Sequence, residues 1–171
     1  MRLIHLSAQK STIVDDCDFA RLSAYRWYCV SGYAVRKVTG ANGRLTWERM
    51  ARAITDAPSG MCVDHINGDK LDNRRSNLRI CTRGQNARNT KKPSHGKTST
   101  FKGVSWYRRY SKYQAAVSSN GKRVHLGYYD RAEDAARAYD EAALKAYGEF
   151  ALINGTGAPQ PQPAQAVNWN S

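Results

Sequence analysis

The stretch Met61-Cys-Val-Asp-His-Ile-Asn-Gly-Asp-Lys-Leu-Asp-Asn-Arg-Arg-Ser-Asn-Leu-Arg-Ile-Cys-Thr-Arg-Gly-Gln-Asn-Ala-Arg-Asn89 constrains this chain more than any other. Met61–Val63 and Leu78–Cys81 are short apolar runs that read as strands, and the first ends in Asp64-His65. Between them lies a polar loop rich in Gly, Asp and Asn. Thr82 stands where it can cap a helix that begins at Arg83, which puts Asn86 on the first turn. Strand, loop, strand and helix in under thirty residues is too small a unit to need so many polar groups for folding. Taken singly, Asp-His reads as a loop ion pair and Asn-Gly-Asp as an ordinary turn; their joint spacing points to chemistry.

Charge narrows the class of partner. The 171 residues hold 27 Lys and Arg against 14 Asp and Glu, a net +13. The excess is densest over residues 61–100, with nine basic and three acidic side chains. Such a surplus favours a polyanion, because each cation set against a phosphate releases a condensed counterion. No run approaches the ~18 apolar residues needed to cross a bilayer, and Met1–Lys10 lacks the apolar segment of a signal peptide. The four cysteines, Cys17, Cys29, Cys62 and Cys81, form no CxxC pair. The expectation is a soluble, cytoplasmic, nucleoid-associated protein of a reducing compartment, with no membrane partner and no small-molecule cofactor.

The fold class is α+β. Residues 1–60 form a mixed region with strands at Arg2–Leu6 and Thr12–Val14, and a short helix opened by Asp15-Asp16 that carries Phe19 and Leu22. Two further strands follow around Trp27–Lys37 and Arg44–Trp47. Tyr25, Trp27, Tyr28, Tyr33 and Trp47 are expected in its core, and no chemistry is assigned to it. Residues 61–92 are the polar unit and 93–99 a basic linker of small polar residues and lysines. Residues 100–153 form a second domain, and 154–171 a Pro/Gln-rich, disordered tail in which Trp169 is a terminal residue or a docking point.

In the second domain, Phe101–Trp106, Tyr113–Ser118 and Arg123–Leu126 read as strands, the last two joined by the turn Ser119-Asn-Gly-Lys122. Asp130 with Glu133 is a capping-box pattern for a helix over Arg131–Tyr147, which Gly148 ends. An alanine side (Ala132, Ala135, Ala136, Ala142, Ala143, Ala146, with Tyr139) lets this helix lie close on the sheet. Alternation puts Val104, Trp106, Tyr113, Ala115, Val117, Val124 and Leu126 under the helix. Ser105, Tyr107, Arg109, Gln114, Ala116, Ser118, Arg123 and His125 fall on the open face.

On these residues the polar unit resembles an HNH nuclease motif, the ββα-metal fold, in the form found in phage and homing endonucleases. The spacing of twelve residues from His65 to Asn77 and nine more to Asn86 matches that family. The resemblance implies hydrolysis of a DNA phosphodiester. It makes His65 the general base and Asp64 with Asn86 the ligands of one Mg²⁺ (or Mn²⁺) per site. Asn77 would fix the loop and hold His65 through its ring or backbone. Asn rather than His at position 86 favours Mg²⁺ or Mn²⁺ over zinc, although Cys62, His65 and Cys81 could instead contribute to a structural zinc site. Arg74, Arg75, Arg79 and Arg83, with Lys91 and Lys92, are phosphate clamps or a solvated basic face.

Phe-Lys-Gly-Val-Ser-Trp at 101–106, His-Leu-Gly-Tyr-Tyr-Asp at 125–130 and the alanine-rich helix resemble an AP2/ERF DNA-binding domain. That family lays a three-stranded sheet, backed by one helix, in the major groove. The resemblance implies DNA contacts from Lys102, Tyr107, Arg109, Lys112, Arg123 and His125. Plant members carry arginines where this chain has Ser105, Tyr107 and Ser118, so fewer bidentate guanine contacts are expected. Together the resemblances imply a homing-type or phage HNH endonuclease that acts on double-stranded DNA as monomer or homodimer. The alternative is a non-cleaving AP2-type transcriptional regulator with an inert HNH motif; an RNA-binding basic protein is a third reading.

Overall fold

The computed structural model describes residues 1–7, 9–40, 42–91, 98–119 and 121–155. The chain forms two compact units, Met1–Asn86 and a second beginning at Ala87. The sequence-derived linker lies mostly outside the described residues, as do Lys92 and the tail from 156 with Trp169.

In the first unit, β1 (Arg2–His5) pairs antiparallel with β2 (Ser11–Val14), and α1 (Asp16–Ser23) follows. The expected strand Trp27–Lys37 is a hairpin, β3 (Tyr28–Val30) and β4 (Tyr33–Thr39), extended by β5 (Leu45–Arg49) into a three-stranded antiparallel sheet. The break is the two-residue turn Ser31-Gly32, whose φ values of 50° and 81° suit the twist of a tight hairpin. A short helix that the periodicity does not signal, α2 (Met50–Thr55), is buried on nearly every side. β6 (Cys62–His65) and β7 (Leu78–Cys81) then pair antiparallel, with Asp64 opposite Arg79 and His65 opposite Leu78. Finally α3 (Arg83–Arg88) begins with a complete capping box: Gln85 N donates to Thr82 Oγ1 at 3.2 Å and Thr82 N to Gln85 Oε1 at 2.8 Å.

One core unites these elements. Ile4, Leu6, Val14, Leu22, Trp27, Ala34, Met50, Ile54 and Leu78 are buried together. Residues 1–60 are therefore the body against which the β6–β7 hairpin is packed. The backbone adds a direct tie, since β2 bridges the polar loop in parallel: Ile13 N donates to Leu71 O at 2.9 Å and Asn73 N to Ile13 O at 2.8 Å. Of the aromatic residues expected in this core only Trp27 is fully inside. Tyr25 and Trp47 are about half exposed, because they lie on sheet and loop surfaces that no other described element of this unit covers.

In the second unit, β8 (Val104–Tyr107), β9 (Lys112–Ser119) and β10 (Lys122–Tyr129) form an antiparallel sheet in that order, backed by α4 (Ala132–Tyr147). Ala135, Ala136, Tyr139 and Ala143 are buried against Val104, Ala115 and Val117, whereas Ala146 is exposed. The close approach is sharpest at Gly103 (φ +76°), where a Cβ would stand 1.9 Å from the Tyr139 ring. Trp106 and Val124, expected under the helix, are 38% and 44% exposed; they lie beyond the area that small alanines let the helix cover. The Asp130 capping box does not form: Arg131 is the N-cap without a side-chain bond, and Asp130 pairs with Lys112 at 3.1 Å. Asn154, expected to begin the tail, belongs to the unit. Its side chain donates to the buried Asp140 at 2.8 Å, and it accepts from Lys102 N at 2.6 Å.

Candidate active site

The β6–β7 hairpin and its loop bury an unusual amount of polarity. Asp64, His65, Asp72, Asn73 and Asn77 are all buried, and every one is hydrogen-bonded. Asn77 closes the loop. Its Oδ1 accepts from Asn67 N at 3.0 Å, its Nδ2 donates to Asp72 O at 2.8 Å, and its carbonyl accepts from Ile66 N at 2.9 Å. Asn77 thus shapes the backbone, while the ring of His65 is held by a residue the motif reading left out, Asn73.

The contacts of Asn73 fix the state of that ring. Thr12 is fully buried and its hydroxyl donates to Leu71 O at 2.6 Å, so its oxygen must accept the 2.8 Å bond from Asn73 Nδ2. The amide nitrogen is therefore turned toward Thr12 and the amide oxygen toward His65. Asn73 Oδ1 can only accept, so the 3.3 Å contact with His65 Nε2 requires a proton on Nε2 and leaves the lone pair of the neutral ring on Nδ1. Burial pushes the His65 pKa below its ordinary value, outweighing the Asn73 hydrogen bond and the carboxylates of Asp64, Asp69 and Asp72, which act to raise it. The ring is thus neutral at physiological pH. Thr12 lies 61 positions from Asn73, too far in sequence to signal the contact.

Asp64 precedes His65 on β6 and is paired with Arg79 across the hairpin, Nε and Nη2 reaching Oδ2 at 3.0 and 2.8 Å. Asn86 sits half-buried on α3, its N–H donating to Thr82 O at 3.0 Å as the first helical bond. A carboxylate and an amide oxygen are hard donors of low total charge, donor types that suit a small divalent cation retaining several waters. Cys62 and Cys81 face each other in register, and burial pushes the Cys81 thiol up to about 11. Among the described residues no three His, Cys, Asp or Glu side chains converge as a metal-binding group.

The expected clamps are distributed unevenly. Arg74 is paired with Asp72, with contacts of 2.7 and 2.6 Å, and holds that carboxyl below its usual range. Arg75 is bidentate on the buried Asp18 at 2.7 and 2.9 Å, and Arg79 is on Asp64. These three arginines are structural ion pairs first, while Arg83 and Lys91 are exposed. Lys102 also departs from the expectation. It is half-buried with its ammonium on the carbonyls of Arg88 and Thr90, and burial lowers its pKa to about 8. It closes the end of a helix rather than facing outward.

On the sheet of the second unit, the register places Ser105 with Gln114, Tyr107 with Lys112, Ala116 with His125 and Ser118 with Arg123. Arg109 is in the turn after β8, not on the sheet. A bulge between His125 and Gly127 shifts the alternation by one residue and brings Tyr128 onto the open face, 4.5 Å from His125 between ring centroids. Tyr107, Tyr110 and Tyr128 form an aromatic cluster there, at 4.9–5.2 Å.

The chain thus joins a ββα hairpin with a buried Asp-His pair to a three-stranded sheet backed by one helix. The HNH endonuclease family model matches residues 56–88 and the AP2 domain model residues 99–149. "Uncharacterized HNH endonuclease L560" of Acanthamoeba polyphaga mimivirus is 36% identical over 139 residues, covering 78% of this chain and 68% of that protein. "Protein 3.8" of Escherichia phage T7 is 32% identical over 94 residues, covering 55% of this chain and 76% of that protein. "APETALA2-like protein 2" of Oryza sativa subsp. indica is 41% identical over 68 residues, covering 40% of this chain but only 16% of the plant protein. The chain belongs to the HNH endonuclease family and carries a C-terminal AP2 domain.

Proposed function

We propose that this chain is a divalent-metal-dependent endonuclease that hydrolyses a phosphodiester of double-stranded DNA, directed to its site by the AP2 unit. The hydrogen-bond chain from Thr12 through Asn73 to His65 carries the reading, since it presents a buried, neutral imidazole with its Nε2 proton committed. His65 takes a proton from the attacking water at Nδ1, and its lowered pKa keeps it an available base at neutral pH. Asn73 orients the ring, and Asn77 holds the loop that carries it. Asp64 and Asn86 hold one Mg²⁺ or Mn²⁺, which when bound stabilises negative charge on the phosphorus oxygens and the leaving 3′-oxygen.

Tyr107, Lys112, Arg123 and His125 of the open sheet face, with Arg109 in its turn and Arg83 and Lys91 outside the sheet, contact the DNA. Linking two weak binders on one chain raises the effective concentration of each. One site per chain nicks one strand, and a homodimer is needed to cut both. The viral relatives support a phage or mobile-element setting.

Nicking of supercoiled plasmid in Mg²⁺ or Mn²⁺, compared with His65→Ala, tests the proposal. The Asp64–Arg79 ion pair favours the second reading, a non-cleaving AP2 regulator, because it occupies an oxygen assigned to the metal. That reading stands if neither protein nicks plasmid yet both retard it on a gel.

A further inference from the structure

Beside His65 lies a second group of side chains that the mechanism does not use. The ring of Tyr33, first residue of β4, has its centroid 6.1 Å from that of His65. Two cations rest on this same tyrosine. The Arg49 guanidinium is 4.1 Å from the ring centroid and the Lys70 ammonium 4.3 Å. Arg49 ends β5 and Lys70 belongs to the loop between β6 and β7, so the cluster joins the N-terminal sheet to the polar loop. The β3–β4 turn closes over the stem of Lys70, whose Cδ lies 3.6 Å from where a Cβ on Gly32 would stand.

Two features separate this pair from the three ion-paired arginines of the polar hairpin. Arg74, Arg75 and Arg79 are each paired with a carboxylate, whereas among the described residues no carboxylate pairs with Arg49 or Lys70. Both residues are also exposed, so they can meet a ligand without leaving a buried charge unmatched. Two like charges on one ring repel each other. The electron-rich face of Tyr33 offsets part of that repulsion. An anion within reach of both offsets the rest.

We infer that Tyr33, Arg49 and Lys70 form a phosphate-binding cradle that grips the DNA backbone at a phosphate beside the one to be cut. This assigns a role in substrate binding to the N-terminal sheet: it supplies two of the three residues, and one of them, Tyr33, packs with its ring centroid 6.1 Å from that of His65. The inference rests on the proposed nuclease reading for its location but not for its chemistry, since the cradle binds backbone whether or not the bond is broken.

The test uses full-length protein in a His65→Ala background without divalent metal, so that DNA is bound and not cut. Duplex affinity is measured by fluorescence anisotropy across a salt series for this parent, for added Arg49→Gln, for added Lys70→Gln, and for both. Each phosphate contact contributes about 0.9 to the slope of log K against log salt. The cradle holds one phosphate, so the double change should lower the slope by about 0.9 and each single change by part of that, with affinity loss greatest at low salt. An unchanged slope in the double variant overturns the cradle, even if the wild type nicks plasmid. If the slope falls while the wild type never nicks, the cradle stands and the nuclease reading fails.

Discussion

Replacing Asn73 tests the link between a buried hydrogen-bond chain and the chemistry proposed for His65. Asn73→Ala removes the donor to Thr12 Oγ1 and the acceptor for His65 Nε2, at a position only 2% exposed. Two buried polar groups each lose one hydrogen bond, and each loss costs about 1–3 kcal/mol. The expected loss is thus about 2–6 kcal/mol, a large share of the ~5–15 kcal/mol that holds a typical domain. At roughly 4–8 °C per kcal/mol for a unit of this size, the first unit should melt at least about 10 °C lower.

Asn73→Asp separates geometry from stability. The carboxylate still accepts from Nε2–H, but its charge favours the imidazolium and should raise the pKa of His65. In the wild type the folded pKa lies below the unfolded value of about 6.5. Activity should therefore persist below that pH and decline only as the pH falls through the lowered value. Stability should weaken over the same window, because there the unfolded chain binds a proton that the folded chain does not. In Asn73→Asp the acid limb should move up. Imidazole ¹⁵N shifts read tautomer and pKa directly, and the pH profile of plasmid nicking reads their consequence. A wild-type ring protonated on Nδ1, or an Asn73→Asp titration unmoved from wild type, would refute the reasoning.

His65→Ala should abolish nicking while leaving duplex affinity nearly unchanged, as gel retardation at matched salt will show, because no proposed phosphate contact is removed. Arg79→Ala should destabilise the first unit by about 3–5 kcal/mol by leaving the Asp64 carboxylate buried without its cation. Mn²⁺ should then raise the melting temperature of this variant more than that of the wild type; an equal shift would argue against Asp64 as a ligand. Gly103→Ala drives a Cβ into the Tyr139 ring at a positive φ. It should cost the second unit about 3 kcal/mol or more, read by hydrogen exchange as lost protection in β8–β10 with β1–β7 intact.

What the sequence alone determined is the set of features that depend on near neighbours. Leu78–Cys81 is a strand in the structure as its pattern predicts, and Thr82 with Gln85 closes the cap that starts α3. The alternation of the three AP2 strands and the alanine side of α4 likewise specify a sheet backed by a helix, because period and cap chemistry act over a few residues. Tertiary structure decided which polar groups meet. The tautomer of His65 depends on Thr12, the anchoring of Arg75 on Asp18, and the placing of Lys70 on Tyr33 of the N-terminal sheet. A single bulge after His125 moved Tyr128 to the open face. These outcomes are set by how separate elements share one core, and no local pattern carries the distance between residues that folding brings together from some sixty positions apart.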